Sequence, residues 1–127
     1  MIDISGDGPN NAGGMVTVAR DAAVAEGIVI NGLPVLISPA QNFPTLDRYF
    51  ADCVIGGKGA FALPVLSVGD LGEAIRMKLL RELLAAGEHG IGKARVIFAA
   101  AEPPTDCLAG EKERARRTDQ YYPELDK

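Results

Sequence analysis

The residues best able to do chemistry lie together near the amino end. Asp3, Ser5, Asp7, Asn10 and Asn11 fall within Ile2-Asp3-Ile4-Ser5-Gly6-Asp7-Gly8-Pro9-Asn10-Asn11. All are hard oxygen donors of the kind that magnesium or calcium prefers. Asp7 is the central candidate ligand, with Ser5 and Asn10 as neighbours of the ion. A glycine-rich turn ahead of a helix can also bind an anion. Here the G-x-x-x-x-G-K-[ST] pattern is missing, and the Asp7 carboxylate repels a phosphate unless a cation lies between them. The simplest reading is that Asp7 and the asparagines form Asx turns and cap the next helix. One carboxylate loop cannot hold magnesium alone, because the ion demands near-octahedral coordination, so other loops must contribute.

The other candidates are weaker. His89, the sole histidine, sits in Gly87-Glu88-His89-Gly90 and reads as an exposed turn residue. Gly56-Gly57-Lys58-Gly59 resembles a phosphate-binding turn in composition only, and a helix-to-strand connection accounts for it. Asp106, Glu111 and Glu113 could chelate weakly, yet a solvated charge run explains them equally. Cys53 lies on an apolar helical face and reads as a small buried hydrophobe rather than a nucleophile. No Ser-His-Asp or Cys-His arrangement has support from spacing, so the chain reads as non-enzymatic. Cys53 and Cys107 form no CxxC pair. They could bridge in an oxidising compartment, but two separate thiols are the simpler expectation for a chain without a signal peptide.

The elements that position the Asp7 loop follow from periodicity. Ile2 and Ile4 alternate with Asp3 as a short strand, and the loop leaves its carboxyl end, where open α/β sheets bind ligands. Val16 to Glu26 is a helix that Gly27 ends, and Ile28 to Leu33 is an apolar, β-branched strand. Pro34 to Pro44 is a loop, after which Thr45 is placed to cap a helix. In that helix Leu46, Tyr49, Phe50, Cys53 and Val54 share one face, the clearest core signal in the chain. Ala60 to Val65 reads as a third strand, confined to a sheet edge by Pro64. Asp70 and Glu73 then form a capping box on a helix with Leu71, Ala74, Ile75, Leu79 and Leu83 buried and Arg76, Lys78, Arg81 and Glu82 wet. Gly87 ends that helix, Arg95 to Ala99 is a candidate strand, and Glu111 to Gln120 is a charged helix before a frayed terminus at Tyr121 to Lys127.

This alternation calls for an α/β fold with a mainly parallel sheet, in one domain of 127 residues. Hydrophobic residues make up 47% and charged residues 24%, an ordinary balance for a globular protein. The net charge of −4 gives no basic footprint for nucleic acid, and no apolar run approaches the length of a membrane span. With no leader in view, the default expectation is the cytoplasm.

Four segments carry a resemblance: Ile2 to Asn11, Asn31-Gly32-Leu33-Pro34, Leu46-Asp47-Arg48-Tyr49, and Asp52-Cys53-Val54-Ile55-Gly56-Gly57 with Gly59-Ala60-Phe61. Together they resemble a bacterial group of uncharacterised von Willebrand factor A-like proteins, the domain of unknown function 1194, over residues 1 to 86. The resemblance implies a three-layer, doubly wound sheet with a metal-ion-dependent adhesion site at its top. Ser5-Gly6-Asp7-Gly8 is similar to the loop after the fourth strand, so Asp7 takes the place of its aspartate. The D-x-S-x-S motif of the first strand is missing, since Asp3-Ile4-Ser5-Gly6-Asp7 ends in aspartate. The chain therefore resembles the carboxyl half of the domain, with residues 87 to 127 as a charged, weakly structured extension. The resemblance implies an interaction module with an incomplete site for Mg2+ or another divalent cation, and protein partners or self-association. It also implies an unpaired edge on the first strand, open to association. The rival readings are an assembly half-domain pairing through that edge and a fragment of a metal-dependent hydrolase. Members of the group look exported, which stands against the cytoplasmic default.

Overall fold

The computed structural model describes residues 1–37, 43, 45–84 and 105–121. The first alternation becomes β1 (Ile2–Gly6), and α1 (Val16–Ala25) takes the chain back. Gly27 closes α1 at a φ of 76°, which glycine adopts without a Cβ penalty. The next strand, β2 (Ile30–Pro34), is buried along its whole length. It starts two residues later than the apolar run suggests, because the Ile28 N–H turns back to Ala23 O at 3.0 Å. β1 and β2 pair in parallel, with Ile2 opposite Ile30 and Gly6 opposite Pro34. The protein is thus α/β, with a parallel sheet of two strands among the described residues and helices packed around it. No helix among the described residues is long and apolar enough to cross a membrane.

The third expected strand is reduced to an extended edge. Residues 60–65 run beside β2 through parallel bridges at Gly32–Ala62 and Val35–Val65. Gly32 N–H donates to Phe61 O, Leu63 N–H to Gly32 O and Val65 N–H to Pro34 O, at 2.9–3.0 Å. Pro34 has no N–H to offer toward Leu63 O and falls between the two bridges, which divides the ladder, whereas the Pro64 nitrogen faces away from β2. Pro34, expected in the loop, instead ends β2, where its carbonyl accepts from Val65 N–H.

Alternate residues of a parallel strand bond to a given neighbour. Ile2 N–H donates to Val29 O, and Gly6 O accepts from Val35 N–H. Residues 2, 4 and 6 therefore face β2, and the backbone groups of Asp3 and Ser5 face the other way. Among the described residues no strand lies on that side, and Ile2, Asp3 and Ser5 are exposed.

The helix at Leu46 keeps its apolar face but not its regularity. α2 (Leu46–Tyr49) passes into a π-helical turn over Phe50–Val54, closed by Ile55 N–H on Phe50 O at 3.0 Å. Thr45 occupies the cap position without a side-chain hydrogen bond. Leu46, Tyr49, Phe50, Cys53 and Val54 are all buried, together with Ile55 and Ala62, against Ile4 and Val16. A second cluster joins Leu33, Phe61, Leu63, Val65 and Met77. Gly32 meets the first cluster and Leu33 belongs to the second, so the pleat of β2 sends them to opposite sides.

Met77 arrives from α3 (Val68–Leu84), whose burial differs from the expected stripe. Leu71 and Ala74 pack inward, but Ile75, Leu79 and Leu83 are exposed, and Lys78 is only 7% exposed. Lys78 is drawn in by an ion pair with Asp3 of β1, which overrides its own hydrophilicity. The cap also shifts three residues upstream. Ser67 Oγ accepts from Asp70 N–H at 3.2 Å and donates to Asp70 Oδ2 at 2.7 Å, while Glu73 pairs with Arg76. Gly87, His89 and the Arg95 to Ala99 stretch lie outside the described residues. The charged helix forms as α4 (Ala109–Tyr121).

Candidate functional site: the Asp7 loop and its helical cover

β1 delivers the chain into a bend at Asp7-Gly8-Pro9, and Gly13 turns it toward α1 at a φ of 72°. Asn10 fixes the middle of this loop. Its backbone N–H donates to the Tyr49 hydroxyl at 3.1 Å, and its side-chain N–H group donates to Gly14 O at 2.8 Å and to Glu111 Oε1 at 2.7 Å. Tyr49 is 1% exposed, and burial pushes its phenol above the usual value. The Asn10 N–H opposes that shift and the Glu111 charge adds to it. Asp7 is exposed on the rim of an open groove between this loop and α4.

The floor of that groove comes from the C-terminal segment, which the sequence left as a solvated charge run. Gly110 packs against the Asn10 backbone so closely that a Cβ would overlap the Asn10 carbonyl. Only glycine allows α4 this approach. Glu111 then reaches Asn10, and Arg114 Nη1 donates to Gly13 O at 3.3 Å. Asp106 starts the helix, its carboxylate accepting from Leu108 N–H at 3.1 Å and from Lys112 Nζ at 2.7 Å. The Lys112 hydrogen bond, followed by that of Leu108, holds the Asp106 carboxyl below its usual value.

Two adjacent residues of the π-turn fasten this segment. Asp52 Oδ2 accepts from Thr105 N–H at 3.2 Å and from Thr105 Oγ1 at 2.5 Å. Cys53 is bridged to Cys107, which corrects the expectation of two separate thiols. The geometry that allows the bond is long-range, since 54 positions separate the two residues. Closing a loop of that length removes chain entropy worth about 4 kcal/mol from the unfolded state. Arg20 Nη1 donates to Asp52 O at 2.9 Å, tying α1 to the same turn.

The expected site residues are therefore only partly gathered. Asp7 opens onto the groove, Ser5 is exposed on β1, and the amide N–H group of Asn10 is engaged by Gly14 and Glu111. Asp106 and Glu113 line the same groove, but Asp106 pairs with Lys112, and Glu113 with Arg116 and Arg117. Among the described residues no three His, Cys, Asp or Glu side chains are grouped to hold a metal ion. Sequence reading missed Gly110, Glu111 and Arg114 as partners of the loop. Their only local signal was the Asp106 cap, which announces a helix but not where it docks.

Neither a curated protein nor a solved structure matches the chain. The family model described as protein of unknown function (DUF1194) matches residues 1–87, the body that carries β1, the Asp7 loop, the π-turn and α3, and the chain belongs to that family.

Proposed function

We propose that the chain is a non-enzymatic interaction module of the von Willebrand factor A-like type, which completes its sheet by accepting a strand along the open edge of β1. The observation that carries this reading is the outward-facing backbone of Asp3 and Ser5, beside an exposed Ile2. Among the described residues no strand pairs with this edge, and edge groups of this kind template strand addition. α3 supplies an apolar flank, with Ile75, Leu79 and Leu83 exposed at i, i+4 and i+8 around the Lys78–Asp3 pair. Clusters on both sides of β2 support a layered domain with the edge of β1 turned outward.

In this reading Asp7 is one ligand of a divided cation site. The residues at hand do not fit magnesium alone, because Asp7 offers a single carboxylate and, among the described residues, no three His, Cys, Asp or Glu side chains are grouped to hold a metal ion. The incoming segment supplies the remaining oxygens. The Cys53–Cys107 bridge favours an oxidising compartment over the cytoplasm.

Static light scattering over a wide concentration range tests the edge. Association is expected to strengthen with concentration and to disappear in Ser5→Pro, which removes an outward N–H and leaves the β2 side of the ladder intact. A clean monomer at high concentration refutes self-pairing. Calorimetric titration with magnesium tests the site, and micromolar binding that Asp7→Ala leaves untouched removes Asp7 from it.

A further inference from the structure

The segment from Thr105 to Tyr121 is gripped firmly at its start and loosely over the Asp7 loop. Of residues 105–118 only Gly110 is buried, and Leu108 is 38% exposed. The contacts of α4 with the loop are polar: Asn10 to Glu111 and Arg114 to Gly13. A helix of 13 residues without an apolar face is too short to persist by itself in water. What keeps it at the loop is its attachment to the π-turn, where one link is covalent.

We infer that the Cys53–Cys107 bridge is a redox latch. Oxidised, it holds α4 across the Asp7 loop. Reduced, it lets α4 leave and opens the carboxyl end of β1, while the strand and helix body stays folded. Cys53 is fully buried and Cys107 partly exposed, so the attacking thiolate approaches from the Cys107 side. The reductant is a dithiol. One of its thiolates attacks the Cys107 sulfur, the S–S bond breaks, and Cys53 leaves as a thiolate that takes up a proton. The second thiol resolves the mixed disulfide and releases Cys107, which is protonated in turn. The bridge gains two electrons and two protons, and the dithiol becomes a disulfide. Left behind, Cys53 is a small buried hydrophobe that its cluster accommodates. The latch is independent of the β1 edge.

Amide hydrogen exchange on the full chain, with and without dithiothreitol, reads this directly. The Lys112 N–H bonds to Leu108 O within α4, and the Leu63 N–H bonds to Gly32 O beside β2. Reduction is expected to speed exchange at Lys112 by about tenfold or more and to leave Leu63 unchanged. Cys107→Ser should reproduce the effect without reductant. Gly110→Ala, whose Cβ collides with the Asn10 carbonyl, should speed tryptic cleavage after Arg114 while thiol titration still finds both cysteines oxidised. Unchanged protection of Lys112 on reduction overturns the latch. So does loss of Leu63 protection in step with Lys112, because the bridge then holds the whole fold together. Unaltered cleavage in Gly110→Ala overturns the seating of α4 on the loop.

Discussion

Tyr49→Phe isolates the anchor of the Asp7 loop, because it deletes one oxygen and keeps the ring. The ring stands edge-on to Phe43 at 5.3 Å between centroids and contacts Phe50 in the same manner at 6.5 Å. Neither packing needs the hydroxyl. The lost interaction is the one in which Asn10 N–H donates to the Tyr49 oxygen at 3.1 Å. A net hydrogen bond contributes roughly 1 kcal/mol, and leaving a part-buried donor unmet costs about 1–3 kcal/mol. The expected destabilisation is about 1.5 kcal/mol, which at an m-value of about 2 kcal/mol/M lowers the urea midpoint by roughly 0.7 M. A pH signature accompanies it. The folded phenol has a raised pKa, chiefly through burial, so the folded state keeps its proton where the unfolded state has lost it. The unfolded state then binds fewer protons, and stability falls as pH rises from about 10 toward the folded value. Below that window the contribution is fully present. Urea unfolding at pH 7 and pH 10.5 should therefore show an alkaline loss in the parent that is smaller in Tyr49→Phe. A variant as stable as the parent at pH 7, with the same alkaline loss, would falsify the assignment of Tyr49 as the anchor.

Other substitutions test the body and the cover. A Cβ on Gly32 would stand 2.6 Å from Phe50 Cδ1 and 3.0 Å from Ile55 Cγ2, so Gly32→Ala should destabilise by about 1–3 kcal/mol in urea unfolding through overpacking. Gly72→Ala, inside α3 with nothing within 4 Å of the new Cβ, should instead stabilise by about 0.5–1 kcal/mol, and both changes having one sign would contradict the geometry. Ser67→Ala removes the cap of α3 and should cost about 1 kcal/mol, read from the same unfolding curves. The lowered pKa of Asp106 means that its contribution to the start of α4 is present above the ordinary aspartate value and fades as pH falls through the folded one. Exchange at Lys112, corrected for intrinsic rate, should therefore quicken on acidification, and a flat profile would remove Asp106 as the cap.

The legible parts of the fold were those decided by neighbours in sequence. Leu46, Tyr49, Phe50, Cys53 and Val54 declare a face by spacing alone, and all five are buried. Gly27 likewise announces the end of α1. α3 was misread because apolar residues occur on more than one of its sides, so periodicity names several stripes without choosing among them. The choice falls to Asp3, which brings Lys78 inward from 75 positions away and rotates Ile75, Leu79 and Leu83 toward solvent. Desolvating a lysine is unfavourable unless a carboxylate meets it, and no local pattern shows where that carboxylate stands. The third strand failed for the opposite reason. The Pro64 nitrogen faces away from β2, where no donor is asked of it, but the missing N–H of Pro34 divides the ladder that a strand needs.

The Asp7 loop was visible in composition, and its cover was not, because the cover is specified by two pairs of residues that mean little apart. Asp52-Cys53 reads as one polar and one apolar position on a helix, and Thr105-x-Cys107 reads as a turn before a charged run. The π-turn gives the first pair its use. Ile55 bonds back five residues rather than four, so the turn holds one residue more than an α-helical turn. From it the Asp52 carboxylate reaches Thr105 while the Cys53 sulfur, inside the core, reaches Cys107. A point held by two such links fixes both the position and the direction of the chain that leaves it. α4 is therefore aimed at the loop by its attachment to the turn, and Gly110 lets it pack there. The Asp7 loop and the segment that covers it are in this way one unit, joined through the turn that also anchors Tyr49 in the core.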